Sequence, residues 1–290
     1  MAMPVFRKVV IFGVGLIGGS FALALRKANT VQEVVGFGRS AATLEQALHL
    51  GLIDRIGHDV AREIRDADVI LLATPVAQMA EIFARIAPNL GENTLITDGG
   101  STKGDVVAVA RQHLGAKIAQ FIPAHPIAGA EQSGPAAARA DLYRDKKVVL
   151  TPLPESSPAA VARVRAAWEM CGAMVSELTP GQHDEVFAAV SHLPHLLAFT
   201  LVHDLAQRDN RDLLLSFAAS GFRDFTRIAA SSPEMWRDIS LANRDALLRE
   251  IEQYAAELYK LHQALEQRDA TKLEEIFSLA RKVRSGWTPQ

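Results

Sequence analysis

Apolar positions in the first 180 residues fall into short runs bounded by turn residues, and these alternate with longer stretches of helical spacing. Residues 9–12, 34–38, 68–73, 94–98, 121–124, 146–152 and 174–178 read as strands. The run at 68–73 is continuous rather than alternating, as expected for a strand covered on both faces. Helices are predicted after the first strand to about Asn29, then over 41–50, 76–86 and 105–114, and from Pro158 through Cys171. Strand and helix in alternation build a mostly parallel, doubly wound sheet. After Thr179-Pro180-Gly181 the strand pattern stops. Residues 183–207 are long and apolar on one face, and Pro194 should kink them. Residues 243–267 place Leu247, Leu248, Ile251, Tyr254, Leu258, Leu261 and Leu265 at helical spacing. Thr271 and Glu274 form a predicted capping box for the last helix.

The first strand runs into Gly13-Val14-Gly15-Leu16-Ile17-Gly18, a G-x-G-x-x-G turn between an apolar strand and an apolar helix. Gly13 would allow the tight turn, Gly15 the approach of a pyrophosphate, and Gly18 close helix–strand packing. The helix start offers free N–H groups and partial positive charge to phosphates. The competing reading is a plain strand–helix turn with coincidental glycines. The second strand ends in Gly38-Arg39-Ser40, with no acid to take the adenine ribose hydroxyls. An arginine there favours a 2′-phosphate and hence NADP over NAD, against the alternative of a solvated surface arginine. Thr74-Pro75 follow the third long strand at the edge where such sheets bind ligands. The expected cofactor-side positions are therefore Gly13, Gly15, Leu16, Ile17, Gly18, Arg39, Ser40, Thr74 and Pro75. The fold class is α/β: a Rossmann-type, mostly parallel sheet domain over residues 1–179, then an all-helical domain over 180–290.

Composition narrows the partners. The 290 residues carry a net charge of −2 with acids and bases interspersed, so nothing suggests nucleic acid. One cysteine, Cys171, fits a reducing compartment and reads as a small buried side chain. No targeting segment is visible and no apolar run reaches about 18 residues. A cytoplasmic protein with no membrane partner is expected. The long apolar helices of the second half suggest a homodimer.

Candidate chemistry clusters at four places. Gly99-Gly100-Ser101-Thr102-Lys103 at a strand's carboxyl end suggests a substrate-side loop. His125 lies between Ala124 and Pro126, and the proline holds it in extended backbone. Catalysis and a structural role are equally open for it on position alone. Ser191-His192-Leu193-Pro194-His195 carries two histidines three apart; without an obvious third ligand, no metal is expected. Of the two, His192 reads as a core histidine and His195 as the site candidate. Arg227, beside Phe225 and Thr226, could hold a carboxylate bidentately or form a surface ion pair.

Taken together, the turn at 13–20, Ala73-Thr74-Pro75-Val76, residues 98–103, 125–129, 191–195 and 224–227, and Met235-Trp236-Arg237-Asp238 resemble the prephenate and arogenate (cyclohexadienyl) dehydrogenases of tyrosine biosynthesis. The resemblance runs over nearly the whole chain. It implies a nucleotide-binding domain followed by a helical dimerisation domain. It also implies oxidative decarboxylation of a cyclohexadienol, with hydride passing to NADP or NAD. By that pattern His125 takes the ring hydroxyl proton, Ser101 orients the hydroxyl, His195 lines the substrate pocket and Arg227 holds a substrate carboxylate. Where some relatives have threonine after His-Pro-x-x-Gly, this chain has Ala130, followed by Glu131, which could pair with the arogenate amine. Two alternatives remain: a two-domain dehydrogenase of the β-hydroxyacid or pyrroline-carboxylate reductase type, and a non-catalytic NADP-sensing protein. The first would call for a catalytic lysine on a helix or a proline-binding loop. The second would leave Ser101, His125 and Arg227 no reason to occur together.

Overall fold

A computed structural model of the protein describes residues 6–130 and 132–288. The chain divides into two compact units, Met1–Val186 with Ser231–Asn243, and Phe187–Ala230 with Arg244–Gln290.

In the first unit, β1 (Phe6–Phe12), β2 (Val31–Phe37), β3 (Arg55–Ile56), β4 (Val69–Leu72) and β5 (Leu95–Asp98) form a sheet in the order β3-β2-β1-β4-β5. Each neighbouring pair is parallel. A second sheet joins β6 (Ala124–Pro126), β7 (Lys147–Leu150) and β8 (Met174–Glu177), with β6 antiparallel to β7 and β7 parallel to β8. The strand expected over 121–124 begins three residues later, because Phe121 makes only a lone parallel bridge to Ile96. The two-residue β3 escapes the apolar pattern, since Arg55 is half of it.

The continuous apolar runs arise because both sheet faces are covered. Along β1, Val9 and Ile11 enter a cluster with Phe21, Leu25, Tyr143 and Trp168. Val10 and Phe12 enter the opposite cluster with Phe83, Ile86 and Phe121. β4 repeats this with Val69 and Leu71 on one side and Ile70 and Leu72 on the other. The flanking helices are α1 (Leu16–Lys27), α2 (Ala41–His49), α3 (Val60–Ile64), α4 (Met79–Ile86), α5 (Gly104–Leu114), α6 (Pro158–Met170) and α7 (Pro180–Phe187). α1 carries Arg26 and Lys27 in its last turn, and Asn29 just beyond has φ 55°. That is the left-handed conformation in which asparagine ends helices. Cys171 is buried beside α6, and burial pushes its thiol well above the usual range.

The second unit contains α8 (Leu193–Ala206), α9 (Arg211–Ser216), α10 (Ser220–Thr226), α12 (Arg244–Glu266) and α13 (Ala270–Gly286), while α11 (Pro233–Ala242) belongs to the first. Three expectations are corrected here. Where a kink was expected at Pro194, the chain forms a π turn over Ala188–His192 just before it. Pro194 has no N–H for the carbonyl one turn back, and the widened turn accommodates its ring. The last helix is capped by Asp269, whose carboxylate accepts from the Lys272 N–H at 2.9 Å, rather than by Thr271. And Pro180–Ala206 is one helical stretch of 27 residues. It is long and apolar enough to cross a membrane by length and composition, contrary to the expectation that no such run exists. Core helices of soluble proteins reach the same length and composition, so this helix alone assigns no membrane span.

Candidate active site

The glycine turn fits a dinucleotide. Gly13 has φ +94°, and a Cβ there would lie 2.4 Å from the Ala73 carbonyl oxygen. A Cβ on Gly18 would lie 2.2 Å from the Gly13 oxygen and 2.8 Å from Ile11 Cγ2. Packing therefore dictates both glycines. Gly15 differs: among the described residues its Cβ would meet Gly134 Cα alone, at 3.9 Å, which leaves room for a pyrophosphate to approach the backbone. Gly15 precedes α1 with no side-chain cap, which leaves the first N–H groups of the helix for an anion. Leu16 and Ile17 pack against the core, and the Ile17 carbonyl accepts from Tyr143 Oη at 2.6 Å. What these two offer a phosphate is backbone.

The turn also sits where the strand order reverses, with Phe12 of β1 paired to Leu72 of β4. Just beyond β4, Thr74 Oγ1 is buried and makes no hydrogen bond among the described residues. Pro75 is exposed. Arg39 is exposed two residues past β2. Ser40 caps α2, its Oγ accepting from the Thr43 N–H at 3.3 Å.

His125 is set by a buried ion pair. Asp98, the last residue of β5, accepts from the Ala124 N–H at 2.9 Å through Oδ1 and from the Gly100 N–H at 2.9 Å through Oδ2. The same Oδ2 accepts from Lys103 Nζ, which also donates to the Ala124 carbonyl at 2.8 Å. The pair thus holds Ala124 at both its N–H and its carbonyl. The next residue is His125, half-buried in extended backbone opposite Val149 of β7. Ser101 lies in the same pinned loop, between Gly100 and Lys103.

His125 Nδ1 lies 2.8 Å from Nε2 of His183, a fully buried ring on α7. His183 Nδ1 lies 2.8 Å from Asp184 Oδ1. The Asp184 carboxylate also accepts from the Lys103 N–H at 2.8 Å and the Gly104 N–H at 2.7 Å, and so caps α5. Asn243, at the end of the 231–243 segment, donates to the Asp184 carbonyl at 2.8 Å. Burial pushes the His183 imidazole below its ordinary pKa despite Asp184 beside it. Burial alone would raise the Asp184 carboxyl. The His183 ring and the two backbone N–H groups instead hold it below the usual carboxylate value.

In the second unit, His195 is half-buried on α8 and its Nδ1–H donates to the Ser191 carbonyl at 2.8 Å. Burial lowers its pKa, and the positive charge of Arg227 lowers it further. Arg227 opens the 3₁₀ turn Arg227–Ala230, which packs against α8. The structure thus couples His195 and Arg227. Arg223, by contrast, pairs with exposed Asp224 at 3.1 Å. His192 is buried within the π turn. Glu131 lies outside the described residues. Asp98, Lys103, His183 and Asp184 are the residues that sequence reasoning did not assign to the site. Only the 98–103 loop carried a signal, through its place at a strand's carboxyl end.

Known proteins resolve what this arrangement belongs to. The model of the prephenate dehydrogenase nucleotide-binding domain matches residues 21–177, and that of the prephenate dehydrogenase dimerization domain matches 179–279. A cyclohexadienyl dehydrogenase of Zymomonas mobilis is 36% identical over 284 residues, covering 97% of this chain and 96% of its own. A prephenate dehydrogenase of Bacillus subtilis is 38% identical over 280 residues, covering 96% of this chain and 75% of its own. Among solved structures, prephenate dehydrogenase from A. aeolicus in complex with hydroxyphenyl propionate and NAD+ superposes with a TM-score of 0.89 at 35% identity. It covers 96% of this chain and 98% of its own. The two models together span nearly all of the sequence, and the chain belongs to the prephenate dehydrogenase family.

Proposed function

We propose that this chain oxidises and decarboxylates prephenate, arogenate or both, giving 4-hydroxyphenylpyruvate or tyrosine in tyrosine biosynthesis. NADP, or NAD, would accept the hydride. Family membership supports the reaction class. The observation that carries the chemistry is His125, an imidazole held in extended backbone by the buried Asp98–Lys103 pair and engaged at Nδ1 by His183.

When bound, the oxidised nicotinamide supplies the hydride acceptor. Everything else falls to the protein. With Nδ1 taken by His183, Nε2 of His125 receives the proton of the ring hydroxyl as hydride leaves the same carbon. Ser101 orients that hydroxyl, and Arg227 holds a substrate carboxylate as a bidentate partner. His195 lines the substrate pocket. The ring carboxylate departs as carbon dioxide and the ring becomes aromatic. Much of the driving force is that aromatisation, which leaves positioning as the main task of the enzyme. The glycine turn holds the pyrophosphate and Arg39 a 2′-phosphate, which favours NADP. Glu131 pairs with the amine of arogenate and favours it over the keto acid.

The protein acts as a cytoplasmic homodimer through its helical domain, with the domain boundary near Pro180. Dimerisation follows from how little the second unit buries by itself. α13 has no buried residue in the single chain, and Phe277, Leu279 and Val283 lie exposed on it. The test of the activity is NAD(P)H formation followed by absorbance, with each substrate against each cofactor. Turnover with either substrate is expected, faster with NADP. No reduced cofactor from any of the four combinations would overturn the proposal.

A further inference from the structure

The strand that carries His125 places it against His183 of α7, which is backed in turn by Asp184, and neither residue has a part in the proposed chemistry so far. We infer that His183 and Asp184 are positioning residues that fix the tautomer of His125, so that its Nε2 presents a lone pair to the substrate hydroxyl. The inference rests on the proposed role of His125 as the base.

Hydrogen-bond accounting along the chain of contacts gives the argument. Asp184 already accepts the backbone N–H groups of Lys103 and Gly104. These donors, with its lowered pKa, keep it an ionised carboxylate that can only accept. The 2.8 Å contact of His183 Nδ1 with Asp184 Oδ1 therefore puts a proton on His183 Nδ1. His183 is fully buried, and burial favours its neutral form. A neutral imidazole carries one proton, so His183 Nε2 is an acceptor. Its 2.8 Å contact with His125 Nδ1 can then be made only by a proton on His125 Nδ1. In neutral His125 the lone pair is left on Nε2.

The same arrangement stabilises the charged product of the proton step. When Nε2 of His125 takes the hydroxyl proton, the ring becomes an imidazolium whose Nδ1–H already points at a polarised acceptor. That acceptor is in turn backed by the Asp184 carboxylate. Among the described residues, Asp98 and Lys103 on the 98–103 loop and Asp184 on α7 act electrostatically on His183. β7 faces His125 with Val149. Asp98 and Lys103 pair with each other, while the Asp184 carboxylate bonds the His183 ring directly.

The first test needs no substitution. ¹⁵N shifts of histidine-labelled protein report which ring nitrogen carries the proton, with His125→Asn identifying the signals. Above the titration of His125, its Nδ1 should show the protonated shift and its Nε2 the unprotonated one. The reverse assignment overturns the inference.

The second test is kinetic. His183→Phe removes the acceptor and keeps a ring in the buried site. kcat should fall at least about tenfold, within the ~10²–10⁴-fold that general-base catalysis contributes. KM should change little, and the acid limb of the kcat profile should move to lower pH. His183→Gln, which restores an acceptor oxygen, should recover part of kcat. An acid limb that stays in place in folded His183→Phe, or full activity in that variant, overturns the inference. Retained activity in His125→Asn would instead remove the base itself, so the two failures are distinguishable.

Discussion

Lys103 and Asp98 form an ion pair in which neither side chain has any solvent exposure. The ammonium spends a second bond on the Ala124 carbonyl, and the carboxylate takes the Ala124 N–H. Removing one partner strands a buried charge, at a cost of about 3–5 kcal/mol. Lys103→Met should therefore lower the thermal midpoint by roughly 6–20 °C. Asp98→Leu combined with Lys103→Met should lie nearer the parent protein than Lys103→Met alone, because no charge is then stranded. Scanning fluorimetry or calorimetry of the three proteins decides it; an unshifted midpoint in Lys103→Met would show that water reaches the pair.

Acid should weaken the fold through buried histidines. Burial holds both His183 and His195 below the ordinary imidazole value of 6.5. In the unfolded chain both rings return to that value. Below it the unfolded state binds protons that the folded state refuses, so stability falls as pH falls. The contribution is complete above pH 6.5 and is lost progressively below it. Each ring steepens the slope by up to about 1.4 kcal/mol per pH unit. The lowered Asp184 pKa acts in the same direction, but only nearer the carboxylate range. Denaturant midpoints at pH 7.5 and 5.5 provide the measurement. Equal midpoints would show that both rings accept protons without unfolding.

What could be read from the residues divides along a physical line. The β1 run and the glycine turn were legible because burial on two faces and a close backbone approach leave a local mark at 9–18. His125 was legible through Pro126, which fixes its backbone. His183 was not, since its meaning depends on a ring 58 positions away in sequence. Asp98 and Lys103 sit where surface loops carry charges, and only the fold buries them. The last helix was misjudged at its start, where the capping-box pattern points to Thr271 and passes over Asp269. Asp269 prevails over Thr271 because a carboxylate at N-cap also meets the positive end of the helix dipole.

His125→Asn should reduce turnover by ~10²–10⁴-fold, the usual contribution of a general base. Cofactor affinity should be unchanged, because the glycine turn that fits the pyrophosphate is built on β1 and α1 rather than on β6. Steady-state rates together with nicotinamide titration by fluorescence separate the two effects. A variant that keeps most of its turnover would move the base to another residue.

Arg39 is exposed beyond β2, so its removal should leave stability intact. If it meets a 2′-phosphate, Arg39→Ala removes charged hydrogen bonds of about 1.5–3 kcal/mol. KM for NADP should then rise roughly 10–100-fold while KM for NAD stays within about twofold. Equal changes for both cofactors would mean that Arg39 does not read the phosphate. Ser40 makes a useful contrast, since its hydroxyl is committed to the Thr43 N–H and its loss should act through α2.

The helical unit should owe its stability to a second copy. On α12, Ile251, Tyr254, Leu258 and Leu265 are all exposed in the single chain. Their spacing places them on one helix face, an apolar stripe that a lone subunit leaves in water. α13 adds Phe277 and Val283, also exposed. Patches of this kind on a soluble chain mark interfaces. Light scattering should give twice the chain mass of 31.4 kDa. Leu258→Glu puts a charge in the middle of the stripe and should shift the population to monomer at micromolar concentration. The thermal midpoint of the parent protein should rise with protein concentration, since an obligate dimer is stabilised by mass action, and that of Leu258→Glu should rise less. A monomeric parent protein, or a Leu258→Glu variant that stays dimeric, would place the association surface elsewhere.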